Sequence, residues 1–219
     1  MSIRSVIAKF AFGTAMIAGM VGMAAASPVS ATYYLNETAS ALGSGPYATV
    51  TLTQYANYVS FLVTPASGFA FANTGGKHWE FAFNTSNAFD DAQIAVTGSA
   101  MSYFQNAAGN SFDVAGYGSF DHAIEFKSGV GSGLSAAITT PITFNVSKTN
   151  IALADFLANG SGAFFASDVG NIQTSQTGNA VYKTPDTPVG PNGNVPEPGS
   201  LLLLAVALGG VAVTRRKAK

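Results

Sequence analysis

The sequence predicts an all-β protein: a single antiparallel β-sandwich or jelly-roll-like domain that lies between two targeting segments. Short runs of alternating apolar and polar residues recur along residues 32–182, which is the period of a half-buried strand. The same region is rich in Gly, Ser, Thr, Asn, Phe and Tyr and poor in Glu, Lys and Arg, a composition that favours strands and turns. No period of 20–50 residues repeats clearly, which argues against a solenoid or a propeller.

The alternation predicts strands in chain order at 47–53, 58–64, 68–72, 78–84, 93–97, 101–104, 111–115, 117–127, 142–146, 164–169 and 179–182. The fourth of these has the cleanest period of two. It places three aromatic residues inward (Trp79, Phe81, Phe83) and four others outward (His78, Glu80, Ala82, Asn84). Before it, Asn73-Thr74-Gly75-Gly76 is typical of a turn, and it predicts a hairpin if the flanking strands pair.

The later elements follow from the same reasoning. Residues 117–127 place one set on an apolar face (Phe120, His122, Ile124, Phe126) and another on a charged face (Asp121, Glu125, Lys127). Residues 129–133 form a flexible break. Ile151–Ala158 is the one predicted helical turn, with Thr149 or Asn150 as its cap and Gly160 after its end.

Charge and cysteine usage limit the function of the domain. Residues 32–194 hold four lysines against ten carboxylates, a net charge of −6, so a polyanion surface is a poor partner and we expect no nucleic-acid binding. The chain has no cysteine, which excludes disulfides, thiol catalysis, iron–sulfur clusters and cysteine zinc sites. The core must therefore hold the domain together, and about 150 residues are enough for that.

The N-terminus predicts a secretory signal peptide over residues 1–26. Arg4 and Lys9 precede an apolar run, 10–26, that ends in small residues. Two bonds fit a small-x-small cleavage site, after Ala26 and after Ala31, and the sequence does not choose between them. An uncleaved N-terminal anchor is the alternative.

The C-terminus predicts a linker and a membrane segment. Residues 183–195 contain three prolines and two glycines and are typical of an extended linker. From Gly199 to Val213 there are 15 uncharged residues, a helix about 22 Å long against roughly 30 Å of hydrocarbon. The basic residues that follow favour a single transmembrane helix with its end in the cytoplasm. A buried C-terminal core helix is the alternative.

The tail also resembles a known sorting signal. Pro196, Glu197 and Pro198, a short apolar helix and an end containing Arg215 and Arg216 together resemble the PEP-CTERM sorting signal of Gram-negative bacteria, here over residues 196–219. The resemblance implies an exosortase substrate that is exported by the secretion machinery. It also implies transient anchoring in the inner membrane, and then a place at the cell surface or outside the cell, associated with exopolysaccharide and biofilm. Glu197 would be a recognition handle and not a catalytic group.

A second stretch is similar to a pattern found in uncharacterised PEP-CTERM cargo proteins. It spans about 112–180 and includes Gly116-Tyr117-Gly118-Ser119-Phe120-Asp121-His122-Ala123, then Phe164 to Val169 and Thr177-Gly178. The resemblance implies a cargo type and no activity. Asp121 is expected to stabilise a turn or a strand edge.

Few residues suggest chemistry. His78 shares a strand face with Glu80, and such a pair can serve acid–base catalysis, although surface polarity explains it equally well. His122 is expected to be a packed core or edge histidine. Asp90-Asp91 suits a solvated turn or a weak Ca²⁺ site. Motifs for nucleophilic, metal, phosphate or dinucleotide sites are absent from the cargo sequence, so we expect no enzyme, no cofactor and no metal.

The leading hypothesis is therefore a non-catalytic surface or extracellular-matrix protein. The first rival is a carbohydrate-binding module that stacks sugars on surface tyrosines, although tyrosine is also simply common in strands. Its candidates are Tyr33, Tyr34, Tyr47, Tyr55, Tyr58, Tyr103 and Tyr117. The second rival is a secreted hydrolase that uses His78, Glu80 or Asp121.

Overall fold

The computed structural model of the chain describes residues 28–86 and 93–183, and almost all of their regular structure is β-sheet. The strands are β1 (Val29–Leu35), β2 (Glu37–Thr38), β3 (Ala48–Gln54), β4 (Tyr58–Pro65), β5 (Phe69–Asn73), β6 (Phe81–Thr85), β7 (Ile94–Val96), β8 (Phe104–Asn106), β9 (Phe112–Val114), β10 (Gly118–Phe120), β11 (His122–Phe126), β12 (Gly133–Ile138), β13 (Ile142–Ser147), β14 (Phe156–Leu157), β15 (Ala163–Asn171) and β16 (Thr177–Lys183). Two 3-10 helices, Gly98–Ser102 and Leu153–Asp155, lie among them. The prediction of an all-β protein is confirmed.

Five strands form one antiparallel sheet in the order β1-β3-β4-β13-β7. Its inner face is built by the predicted alternation: Val50 and Leu52 of β3 and Phe61 and Val63 of β4 are fully buried, while the residues between them are partly or wholly exposed. β1 was not predicted, because its first residues adjoin the signal-peptide sequence. It pairs with β3 along its whole length, from Val29 opposite Gln54 to Leu35 opposite Ala48.

Nine strands form the second sheet, with β15 at its centre. β16 pairs with one edge of β15. The other edge of β15 pairs first with β6, through Phe165 opposite Phe83, and then with β5, through Val169 opposite Phe71. The predicted hairpin around Asn73–Gly76 is therefore wrong: β5 and β6 do not pair with each other, because both pair with β15 and lie end to end along it.

The main core lies between the two sheets and is dominated by phenylalanine. Phe61 of the five-stranded sheet stacks on Phe144 at a centroid distance of 4.5 Å. It also contacts residues of the nine-stranded sheet, with centroids 5.3 Å from Phe83 and 6.2 Å from Phe165. Aromatic pairs at these distances add to the free energy of burial. The two sheets therefore pack face to face, as a β-sandwich requires.

A second apolar cluster covers the outer face of the nine-stranded sheet. β9 and β10 form a two-stranded ribbon, and Phe112, Val114 and Phe120 of the ribbon pack on small residues of the sheet. Those small residues include Ala82, Ala123 and Ala166. The ribbon requires a glycine at position 118, where φ is +82° and a Cβ would lie 2.7 Å from Ser161 Oγ.

The ribbon corrects two predictions about strand faces. Both faces of β6 are buried, so Glu80, Ala82 and Asn84 are not on a solvent face, and Trp79 packs on the ribbon side instead of with Phe81 and Phe83. Phe120 belongs to the ribbon, whereas Ile124 and Phe126 belong to the main core. The chain breaks its alternation at Asp121, between β10 and β11.

The predicted helical turn at Ile151–Ala158 is mostly wrong. Only Leu153–Asp155 is helical, as a 3-10 turn in which Asp155 Oδ2 accepts a hydrogen bond from the Ala152 N–H at 2.8 Å. Phe156 and Leu157 then form β14, which pairs with the end of β6. Pairing with a buried strand outweighs the weak helical propensity of so short a segment. Residues 101–104 are likewise a 3-10 turn followed by β8 rather than one strand.

Candidate functional site

The most polar region of the buried structure is a cluster centred on Asp168. Asp168 lies on β15 where the partner strand changes from β6 to β5, and its side chain is fully buried. Its backbone N–H donates to the Trp79 carbonyl at 2.8 Å. Thr74, in the segment that joins β5 to β6, donates to Asp168 Oδ2 from its N–H at 3.3 Å and from its hydroxyl at 2.5 Å. His78 Nδ1 lies 3.4 Å from Asp168 Oδ1.

The electrostatics of Asp168 follow from burial opposed by these partners. Burial raises the pKa of the Asp168 carboxyl to about 6, because the charged form loses hydration. The two Thr74 hydrogen bonds and the neighbouring His78 oppose that rise. The carboxyl therefore changes protonation in a mildly acidic range, well above the ordinary pKa of an aspartate.

Glu80 is a second buried carboxyl close to this cluster. Its Oε2 accepts the Phe126 N–H at 2.9 Å, and its backbone carbonyl accepts the Ser167 hydroxyl at 2.6 Å. Burial raises the pKa of Glu80 to about 8, and the carboxylates of Asp168 and Glu125 add to the rise. Glu80 is therefore largely protonated at neutral pH, and it ties the end of β11 to the start of β6.

This arrangement places a histidine ring nitrogen 3.4 Å from a buried carboxyl oxygen, and a histidine beside a carboxyl is one part of an acid–base site. A nucleophilic site also needs a hydroxyl directed at the histidine. The nearby hydroxyls of Thr74 and Ser167 instead donate to Asp168 and to the Glu80 carbonyl. Neither of these two hydroxyls is therefore directed at the histidine.

From the sequence, His78 was expected to pair with Glu80. Asp168 was not identified as its neighbour. The available signal was a carboxylate in the middle of the otherwise apolar strand predicted at 164–169. A buried carboxylate requires partners, and their identity depends on which strands become neighbours in the sheet.

The other candidate residues lie elsewhere. Asp121 is exposed between β10 and β11, and its Oδ2 accepts the Thr85 N–H at 3.4 Å. His122 is buried, with its ring 5.1 Å from that of Phe83 and its Nε2 3.3 Å from Thr85 Oγ1. Thr85, which both residues contact, ends β6 and lies five residues from Glu80, or roughly 17 Å at about 3.3 Å per residue. The structure does not bring His78, Glu80 and Asp121 together.

The seven candidate tyrosines divide into two groups. Three are buried and cannot stack on a ligand: Tyr33, Tyr47 and Tyr117. They serve the fold instead, as when the Tyr33 ring packs 5.0 Å from that of Phe165. Tyr34 and Tyr55 are 46% and 40% exposed, and Tyr58 and Tyr103 are half-buried. Tyr55 stacks on Tyr58 with a centroid distance of 4.5 Å and an interplanar angle of 16°.

The remaining predictions concern residues outside the described ranges. These are Asp90-Asp91, the signal peptide, the linker beyond Lys183, and the sorting residues Pro196, Glu197, Pro198, Arg215 and Arg216. Within 28–86 and 93–183, no group of three or more His, Asp or Glu side chains is arranged to hold a metal ion. No helix in these same ranges has the length and apolarity to cross a membrane.

Comparison with known proteins gives one match. Residues 194–217 match the family model described as the PEP-CTERM protein-sorting motif. Neither the curated proteins nor the solved structures contain a match to this chain. The matched residues include all five that were predicted to form the sorting signal. Such a motif implies export, transit through the membrane and recognition by an exosortase.

Proposed function

We propose that this chain, which carries a PEP-CTERM protein-sorting motif, is a non-catalytic protein of the cell surface or extracellular matrix. The sorting motif at residues 194–217 is the observation that carries the proposal. The signal peptide directs the chain to the secretion machinery, and the apolar segment after Pro198 anchors it transiently in the inner membrane. Exosortase then recognises the tail, and the domain is released or attached outside the cell.

The chemistry of the domain supports a structural role for it. It holds together without disulfides, through an aromatic core between two sheets. Part of its most conspicuous polar cluster is held by internal hydrogen bonds: Asp168 Oδ2 accepts from Thr74, Glu80 Oε2 accepts from the Phe126 N–H, and the Glu80 backbone carbonyl accepts from Ser167. These bonds hold the two residues in place, as a structural role requires.

A carbohydrate-binding function is the second candidate, and it would place the protein among the exopolysaccharides of a biofilm. Tyr55 at the protein surface favours it, because an exposed phenol ring combines an apolar face with a polar tip. The buried tyrosines at 33, 47 and 117 take no part in this candidate function.

The sorting proposal is tested by intact-mass analysis of the protein from native cells, with membranes and culture fluid kept separate. We expect a form in the fluid or at the outer surface whose mass corresponds to a C-terminus near residues 195–198. A full-length C-terminus found only in membranes would contradict sorting and indicate a permanently anchored protein. The same spectra report the N-terminus, and thus whether cleavage follows Ala26 or Ala31.

The non-catalytic part of the proposal has its own test. Purified protein is assayed against a panel of glycosides and peptides, beside His78→Ala as the matched variant. We expect no turnover by either protein. Turnover by the native protein that disappears in His78→Ala would establish the hydrolase instead.

A further inference from the structure

The five-stranded sheet differs from the rest of the domain in its charge. None of the residues in β1, β3, β4, β7 and β13 is charged. The nine-stranded sheet and its ribbon carry Glu37, Asp113, Glu125, Asp168 and Lys183. A sheet of uncharged strands in an acidic domain does not repel a neutral ligand, and its strands hold no cation to attract an anionic one.

The outer face of this sheet is an ordered array of hydroxyl groups. The strand register places Thr32 of β1 beside Thr51 of β3, and Thr51 beside Leu62 of β4, which in turn lies beside Thr143 of β13. The adjacent row is Ser30, Thr53, Ser60 and Asn145. Neighbouring strands lie about 4.8 Å apart, and alternate residues along a strand lie about 6.7 Å apart. The array is therefore periodic in two directions.

The hydroxyls of the array can form further hydrogen bonds. Ser30 Oγ lies 3.0 Å from Thr53 Oγ1, and Thr32 Oγ1 lies 3.4 Å from Thr51 Oγ1. Each hydroxyl has one donor and two acceptor positions, so a pair that shares one bond keeps most of its capacity. Leu62, 42% exposed in the middle of the array, adds an apolar contact.

Aromatic rings lie at opposite ends of the same face. Tyr58 begins β4 and stacks on Tyr55, in the turn between β3 and β4. Tyr34 lies near the other end, beside Thr49, which itself pairs with Thr64. The two ends are six residues of β4 apart, or roughly 20 Å. That length accommodates several sugar units.

We propose that the outer face of the five-stranded sheet binds a neutral polysaccharide, which lies across the hydroxyl array between Tyr55–Tyr58 and Tyr34. A neutral glycan combines hydroxyl groups with apolar ring faces, and this surface offers the complement of both without any charge. A second copy of the chain is a poorer occupant, because stable dimer interfaces are apolar at their centre and Leu62 is the one large aliphatic side chain in these rows. The inference deepens the second candidate function by naming the face and the class of glycan, and it rests on the proposed function in that the domain must meet glycans outside the cell.

Affinity electrophoresis of the full-length protein in detergent tests the proposal. The gels contain a neutral β-glucan, a neutral α-glucan, a neutral mannan or anionic alginate. Thr51→Lys puts a charge in the centre of the array, and Gln105→Lys puts the same charge on an exposed position of β8 as the matched control. Tyr55→Ala removes one ring, and Tyr55→Phe keeps it.

We expect retention on at least one neutral gel and none on alginate. Thr51→Lys should lower retention on that gel at least tenfold, while Gln105→Lys should leave it as in the native protein. Tyr55→Ala should weaken binding about fivefold, as for the loss of one aromatic contact, and Tyr55→Phe should restore it. Thermal melting checks that each variant is folded.

Three outcomes would overturn the proposal. They are no retention on any neutral gel, retention that Thr51→Lys leaves unchanged, and self-association in light scattering that Thr51→Lys abolishes without any glycan binding. None of these bears on the processed mass of the tail, so failure here is distinguishable from failure of the sorting proposal.

Discussion

The two sheets are built by the same alternation of residues, but they use their outer faces differently. The five-stranded sheet leaves its outer face open within the described structure and fills it with uncharged hydroxyls. The nine-stranded sheet covers part of its outer face with the β9–β10 ribbon, and Asp168 and Glu80 are buried nearby. The first sheet is stabilised by one core and remains available to a ligand. The second is buried on both sides where the ribbon covers it, and its buried polar groups depend on internal partners.

The largest effect on the free energy of unfolding is expected in the core that the two sheets share. Phe61→Ala removes a ring that contacts both sheets, so we expect the free energy of unfolding to fall by about 4 kcal/mol. Leu62→Ala, one residue away on the outer face, should change it by about 0.5 kcal/mol or less. Urea unfolding measures both values. Similar losses for the two variants would mean that the outer face is also packed.

The second largest effect is expected in the pH dependence of stability, which should come from the buried carboxyls at the nine-stranded sheet and not from the uncharged five-stranded sheet. Because the pKa of Glu80 is about 8 in the folded state and near 4.5 ordinarily, the folded state holds the proton more tightly. The contribution of Glu80 to the free energy of unfolding is fully present below pH 4.5 and is lost as the pH rises towards 8. Asp168 acts in the same direction. Its pKa is about 6 in the folded state and 3.8 ordinarily, so its contribution to stability falls as the pH rises between these two values.

Glu80→Gln should therefore flatten the fall in stability between pH 5 and 8, by an amount on the order of a few kcal/mol. Chemical unfolding at a series of pH values measures it. Thr51→Val, on the uncharged sheet, is the control and should keep the native pH profile. If Glu80→Gln keeps the native slope, Glu80 is not the group that titrates.

A smaller effect is expected at the edge of the five-stranded sheet. A chain that begins at Thr32 loses the pairing of Val29, Ser30 and Ala31 with β3. We expect a loss of about 2 kcal/mol relative to a chain that begins at Ser27, since each hydrogen bond contributes about 0.5–1.5 kcal/mol. Thermal melting of the two chains gives the comparison. Equal melting temperatures would mean that the first three residues of β1 contribute little to the stability of the sheet.

The smallest effect is expected on the ribbon. Lys77 Nζ lies 2.8 Å from Asp113 Oδ2, and this ion pair holds the pKa of Asp113 below its usual range. Both side chains are largely exposed, so solvent and salt screen their attraction. Lys77→Met should leave the urea midpoint within the scatter of repeated measurements. A clear shift would mean that the ribbon depends on its surface charge as well as on its apolar contacts.

Much of this structure could be predicted because strand alternation is a local property. The faces of β3, β4 and β13 follow from residues two apart, and the sorting motif is a linear sequence that needs no fold to be recognised. Prediction failed where a second layer covered a strand. The solvent face assigned to Ala82 and Asn84 is buried: Ala82 packs in the apolar cluster of the ribbon, and Asn84 accepts a hydrogen bond from the Asp121 N–H.

The sequence by itself determined the all-β class, most strand positions, the absence of disulfides and the C-terminal sorting motif, because composition, period and short motifs are read along the chain. The tertiary structure alone decided that β5 and β6 share one edge of β15, that His78 meets Asp168, and that Tyr33, Tyr47 and Tyr117 are buried while Tyr34 and Tyr55 are exposed. Those facts depend on which distant strands become neighbours. That choice minimises the free energy of the whole packed domain rather than that of any one segment.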